Sequence, residues 1–107
     1  MKQLKLSKDC SHDKLTQFGF KKFGLNYKLN LPLYTYKKTP VISAHFLVSS
    51  LDNYIGYDVV DDNSGTIYSA YYDTDLKNEN KVLDKIKKKL EEVFEEMTEK
   101  NILKGDE

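Results

Sequence analysis

Apolar residues recur at every second position through the first two thirds of the chain and at every third or fourth position near its end. Leu25, Tyr27, Leu29, Leu31 and Leu33 alternate with Asn26, Lys28 and Asn30, the pattern of a strand with one face on a core and the other in water. Pro32 has no N–H to give to a ladder, so this strand is expected to lie at a sheet edge or to bend there. After a turn at Lys37-Lys38-Thr39-Pro40, Ile42, Ala44, Phe46 and Val48 repeat the alternation, with Val41, Ser43, His45 and Leu47 on the second side. The apolar members of that second side predict partial cover. Tyr54 to Val60 and Thr66 to Tyr72 predict two more strands, joined at Asp61-Asp62-Asn63-Ser64-Gly65, whose residues accept tightly bent backbone. Links this short join antiparallel neighbours, because a parallel crossover needs about a dozen residues.

Beyond the polar stretch 73–80 the period changes. Val82, Leu83, Ile86, Leu90, Val93, Phe94, Met97 and Ile102 define one amphipathic helix over 81–103, about 30 Å long and able to roof a sheet. Near the other end, Ser11 and Asp13 read as an N-cap and first-turn acid, Leu15, Phe18 and Phe23 as a buried stripe, and Gly19 as the stop of a short helix. Leu4 and Leu6 suit a short edge strand or an extended tail. The predicted fold is α+β: a four-stranded antiparallel meander sheet with a short N-terminal helix and a long C-terminal helix packed on one face, residues 1–107 forming a single domain.

Composition adds three constraints. The single cysteine, Cys10, excludes an intramolecular disulfide, and no stretch resembles a signal peptide or a bilayer span, so a cytoplasmic protein with no membrane association is expected. The zero net charge hides a split, since residues 1–50 carry nine lysines against two acids and the rest eight lysines against fifteen. A dipolar molecule follows more readily than a uniformly basic one. All basic residues are lysine, and none is the arginine suited to bidentate base and phosphate contacts.

Candidate chemistry is sparse. Cys10 and His12 stand at a helix start, where backbone N–H groups lower a thiol pKa, and His45 would complete a nucleophile–base set. Three such residues are too few for a structural zinc site, and no family signature surrounds them. Asp73 and Asp75 begin a calcium-loop pattern that fails at Lys77 and Asn78. No phosphate loop, dinucleotide fingerprint, nucleophile elbow or zinc-protease motif occurs. The expectation is a protein with no catalytic residues, no metal and no cofactor.

Aromatic residues carry the binding expectations. Tyr54, Tyr57, Tyr68, Tyr71 and Tyr72 surround the Asp-Asn-Ser-Gly hairpin; adjacent Tyr71 and Tyr72 point to opposite faces of a strand, so one of them is expected in a sticky protein-binding patch. Tyr34, Tyr36, Lys37 and Lys38 set aromatic beside basic groups, the combination that grips single-stranded nucleic acid. On the long helix, lysines at 85, 87, 88 and 89 precede glutamates at 91, 92, 95, 96 and 99. A second copy laid antiparallel would match unlike charges, which makes a homodimer through the C-terminal helix a testable arrangement.

The phrases Gln17-Phe-Gly-Phe-Lys-Lys, Tyr34-Thr-Tyr, Ile55-Gly-Tyr-Asp-Val, Tyr71-Tyr-Asp and the closing Glu96-Met-Thr-Glu-Lys-Asn-Ile-Leu resemble small uncharacterised proteins of phages and prophages of low-GC Gram-positive bacteria. That resemblance implies an accessory phage protein and brings no activity or functional residue with it. The leading expectation is a non-enzymatic protein-interaction module with an unknown protein partner. The alternative is a single-stranded nucleic-acid-binding protein.

Overall fold

A computed structural model describes residues 4–72 and 81–104. In chain order the elements are α1 (His12–Phe18), β1 (Lys21–Phe23), β2 (Asn26–Tyr36), β3 (Thr39–Ser49), β4 (Tyr54–Asp61), β5 (Thr66–Ile67), α2 (Ser69–Tyr72) and α3 (Lys81–Glu99). The strands form one antiparallel sheet in the order β1-β2-β3-β4-β5. The α+β reading and the meander therefore hold, with five strands in place of four. The added strand, β1, is three exposed residues with no period to announce it. The predicted strand over Thr66–Tyr72 stops at Ile67, because the chain turns into α2 once the Tyr68 N–H has donated to the Val59 carbonyl, at 2.8 Å.

Each long strand turns its alternate apolar residues to one side. Register pairs Leu29 with Phe46 and Phe46 with Tyr57, and Tyr27 with Val48 and Val48 with Ile55, so these side chains share the inner face. Helix α3 lies over that face, burying Leu83, Ile86, Leu90, Val93, Phe94 and Met97. Phe46, at 1% exposure, stands at the centre: its ring lies 6.5 Å from Phe20, 5.8 Å from Tyr57 and 6.4 Å from Phe94, measured between centroids. Pro32 does what its chemistry requires. The pairing of β2 with β3 shifts register between Pro32 and Thr35, and β1 covers only Asn26–Lys28, so Pro32 sits at an irregular position along an edge.

Local caps set the helix limits. The Ser11 side chain accepts the Lys14 N–H at 3.3 Å to open α1, and Gly19, at φ 123°, closes it while the Phe20 N–H donates back to the Leu15 carbonyl. Phe23 falls outside this helix and is 56% exposed, so it is no part of a buried stripe. Helix α3 ends four residues earlier than its apolar pattern predicts. Asn101 takes the left-handed conformation at φ 61°, and the Ile102 N–H donates to the Met97 carbonyl at 2.8 Å, the hydrogen-bond arrangement that turns a chain off a helix end. Ile102 and Leu103 stay buried past the helix end, and Leu103 bridges Leu6, flanked by Ser7 N–H to Ile102 carbonyl and Lys104 N–H to Lys5 carbonyl bonds of 2.9 Å each. No helix among the described residues is long and apolar enough to cross a membrane.

Candidate binding faces of the sheet

The tyrosines expected in a surface patch divide between two environments. Tyr57 is 7% exposed in the core, its ring 5.3 Å from Phe94, and its hydroxyl lies 2.7 Å from that of Tyr71. Tyr68, Tyr71 and Tyr72 are half-buried against the same cluster. Because residues 69–72 are helical, Tyr71 and Tyr72 do not alternate across a sheet; their rings meet edge to face at 5.1 Å. Of the five, Tyr54 alone is exposed, at 53%. The patch read from the sequence is thus mainly a packing seam.

That seam also protects the sheet. The Tyr72 hydroxyl accepts the Val59 N–H at 2.9 Å, occupying an amide of β4 beyond the end of its short pairing with β5. Burial pushes the Tyr72 phenol above its ordinary range, the bond from Val59 opposes this, and the Asp58 carboxylate adds to the rise. Tyr72→Phe is expected to lower stability by about 1 kcal/mol, since the amide loses its acceptor. Amide exchange at Val59 should quicken in that variant, and unchanged exchange would show that the hydroxyl does not cap the edge.

The expected nucleophile set does not assemble. Tyr27, whose hydroxyl lies 2.8 Å from His12 Nδ1, faces the core side, whereas His45 pairs with Asn30 and Asp58 on the opposite face. Burial pushes the Cys10 thiol up and Lys14 draws it only partly back, the reverse of the lowering expected at a helix start. Alkylation of Cys10 by iodoacetamide should therefore be slower than that of a small free thiol near neutral pH. Its rate should still be climbing at a pH where an exposed thiol has levelled off. A rate matching the free thiol throughout would contradict this. Among the described residues no group of three His, Cys, Asp or Glu is placed to hold a metal ion; Asp73 and Asp75 lie outside those residues.

The Lys/Tyr segment forms the tip of the β2–β3 hairpin. Tyr36 pairs with Thr39 across a two-residue turn in which Lys37 and Lys38 both take positive φ, 51° and 66°, a geometry that Asn-Gly fills more comfortably. Tyr36 is 60% exposed with the Lys37 ammonium 5.5 Å from its ring centroid. Tyr34 stands apart, half-buried against the core. Three of the four candidates thus share an exposed tip.

The side of the sheet away from α3 holds features that no motif announced. Cross-strand register places Phe23, Asn26, Ser49 and Tyr54 in one row, and Lys21, Lys28, Leu47 and Gly56 in the next. Asn30, His45 and Asp58 make a third row. Leu47 is 37% exposed, and the Lys28 ammonium lies 5.4 Å from the Phe23 ring centroid. The hydroxyl end of the Tyr54 ring lies over Gly56, where a Cβ would collide with it. Toward the β4–β5 hairpin the face closes: Ser43 donates to Asp62 at 2.8 Å, and Ser43 and Val60 are buried. Of the two apolar residues that the sequence shows on this side of β3, Val41 is half-buried and Leu47 is exposed. On the inner side, a groove of about 570 Å³ runs between α1 and the end of α3, lined by Lys14, Gln17, Phe18, Glu96 and Lys100.

No protein-family model and no curated protein matches this chain. Among solved structures, the chain superposes on the crystal structure of a DUF1831 family protein from Lactobacillus plantarum with a TM-score of 0.73, at 16% sequence identity, over 96% of this chain and 86% of the other. At that identity the likeness extends to the fold: this chain has the architecture of the DUF1831 structure.

Proposed function

We propose that this chain is a non-enzymatic protein-interaction module that binds through the outer face of its sheet. The observation that carries the reading is the group of exposed apolar side chains on that face, Phe23, Leu47 and Tyr54, with Ile67 at the hairpin edge, while the described helices pack on the other side. Apolar residues clustered on one face of a monomer are a mark of interaction surfaces. The flanking Lys21, Lys28 and Asp58 are exposed and supply a polar rim. A role as an accessory protein of a phage or prophage rests on the sequence resemblance alone.

A photo-cross-linking residue placed at position 47 is expected to capture a protein partner in the native cells, and one placed at position 88 on the charged side of α3 is not. Equal capture from both positions, or none from position 47, overturns the reading.

The second reading, single-stranded nucleic-acid binding, is favoured by the hairpin tip, where the lysine pair and Tyr36 project together. It requires that a labelled oligonucleotide bind at low salt and be released steeply as salt rises, because phosphate contacts release counterions. Absence of binding at low salt removes it.

A further inference from the structure

We infer that the occupant of the outer face is a second copy of this chain, the two sheets packing face to face about a two-fold axis that runs along β3. The inference rests on the proposed interaction reading and names its partner. Its ground is the charge layout of the face. Lys21 and Lys28 lie on the β1–β2 side, Asp58 on the β4 side, and Leu47 on the central strand between them.

A two-fold axis along β3 lays the β2 of each copy over the β4 of its partner. Leu47 then meets the Leu47 of the partner subunit, and each Lys28 comes to the side that holds Asp58 and the Tyr54 phenol in the other copy. Lysine meets lysine in neither half; the Leu47 contact lies on the axis and the off-axis Lys28 contact occurs twice, as an isologous interface demands. Gly56 takes a specific part. It makes room for the hydroxyl end of Tyr54, so the position facing Lys28 carries a phenol oxygen that can accept from the ammonium.

Size sets the strength. With the length shared by the strands set by β4, of 8 residues at about 3.3 Å each, and the width by the four strands β1 to β4 at about 4.8 Å each, the face spans about 25 by 20 Å. A footprint near 500 Å² falls below the roughly 800 Å² per partner of a standard stable interface. The dimer is accordingly reversible, forming and parting in the micromolar range of protein.

Sedimentation equilibrium of the full chain, from low micromolar to several hundred micromolar, tests this. The expected result is a mass rising with concentration from 12.5 kDa toward twice that value. Leu47→Asp should weaken association by about 10- to 100-fold, since it places two carboxylates at the centre of the interface. Lys28→Glu and Asp58→Lys should each weaken it about 10-fold, and an equimolar mixture of the two single variants should associate again, because each then faces an opposite charge at both contacts. All three residues are exposed, so unchanged circular dichroism and thermal midpoints verify folding. Association that ignores these changes but is lost in Lys88→Glu would move the interface to α3 and overturn the inference. A mass of 12.5 kDa at every concentration overturns it as well. In that case capture of a different protein from position 47 leaves the interaction reading standing, and absence of capture fells both.

Discussion

Phe46→Ala is expected to lower the free energy of unfolding by about 3 to 5 kcal/mol, the range for removing a fully buried aromatic ring. The side chain is 1% exposed on the middle strand of the sheet, and its ring meets Phe20 from the N-terminal segment, Tyr57 from β4 and Phe94 from α3. Three separate parts of the chain therefore lose contact atoms at once, and the space is too enclosed to collapse without moving a strand or a helix. Against a total stability of about 5 to 15 kcal/mol for a domain, this is a large fraction. Urea denaturation should show the midpoint falling with little change in slope. A loss below about 1 kcal/mol would mean that the core is not centred on this ring.

The opposite sign is expected at the β2–β3 turn. Replacing Lys37-Lys38 with Asn-Gly should stabilise the chain by about 2 kcal/mol, because two side-chain-bearing residues held at positive φ give way to the pair that adopts this turn with least strain. The measurement is again denaturation, with the midpoint rising. A neutral or destabilising result would show that the lysines earn their place through contacts that offset the backbone strain. The same variant bears on nucleic-acid binding: if oligonucleotide affinity exists, it should drop with the loss of two charges beside Tyr36, and its dependence on salt should become shallower.

The three long strands and the long helix were legible because their apolar residues keep one period over many positions. Alternation marks Leu29 and Phe46 as the buried side of their own strands, and register pairs them; Tyr57, expected in the surface patch, pairs with Phe46 on the same inner face and is buried. The parts that escaped are those where tertiary contact overrules local pattern. Lys21-Lys22-Phe23 is too short to show alternation, and it becomes a strand only because Gly24, at φ 62°, turns it back onto Asn26–Lys28. Tyr68 to Tyr72 have the aromatic character of a strand, but the Tyr72 hydroxyl bonds the edge of β4 instead of extending the ladder. That change of element moved the candidate site. Read with a period of two, Tyr71 and Tyr72 straddle a sheet; as a helical turn, both join the packed seam.

The outer face was half visible. Leu47 breaks the polar character of its side of β3 and predicts partial cover, whereas Phe23 falls at the spacing of a helix stripe and no local pattern reveals what Gly56 makes room for. What makes these residues one surface is register between strands, a long-range property that a single strand's pattern does not contain.

The clasp between Leu6 and Leu103 joins segments almost a hundred positions apart. Closing so long a loop is entropically unfavourable, and contacts of this separation slow the search for the native state. A chain emerging from the ribosome can form the hairpins of β2, β3 and β4 as they appear, yet the apolar side of that sheet stays bare until α3 and the closing Ile102-Leu103 are synthesised. For that interval the nascent protein depends on its charged turns, or on a chaperone, to keep unfinished sheets from joining one another.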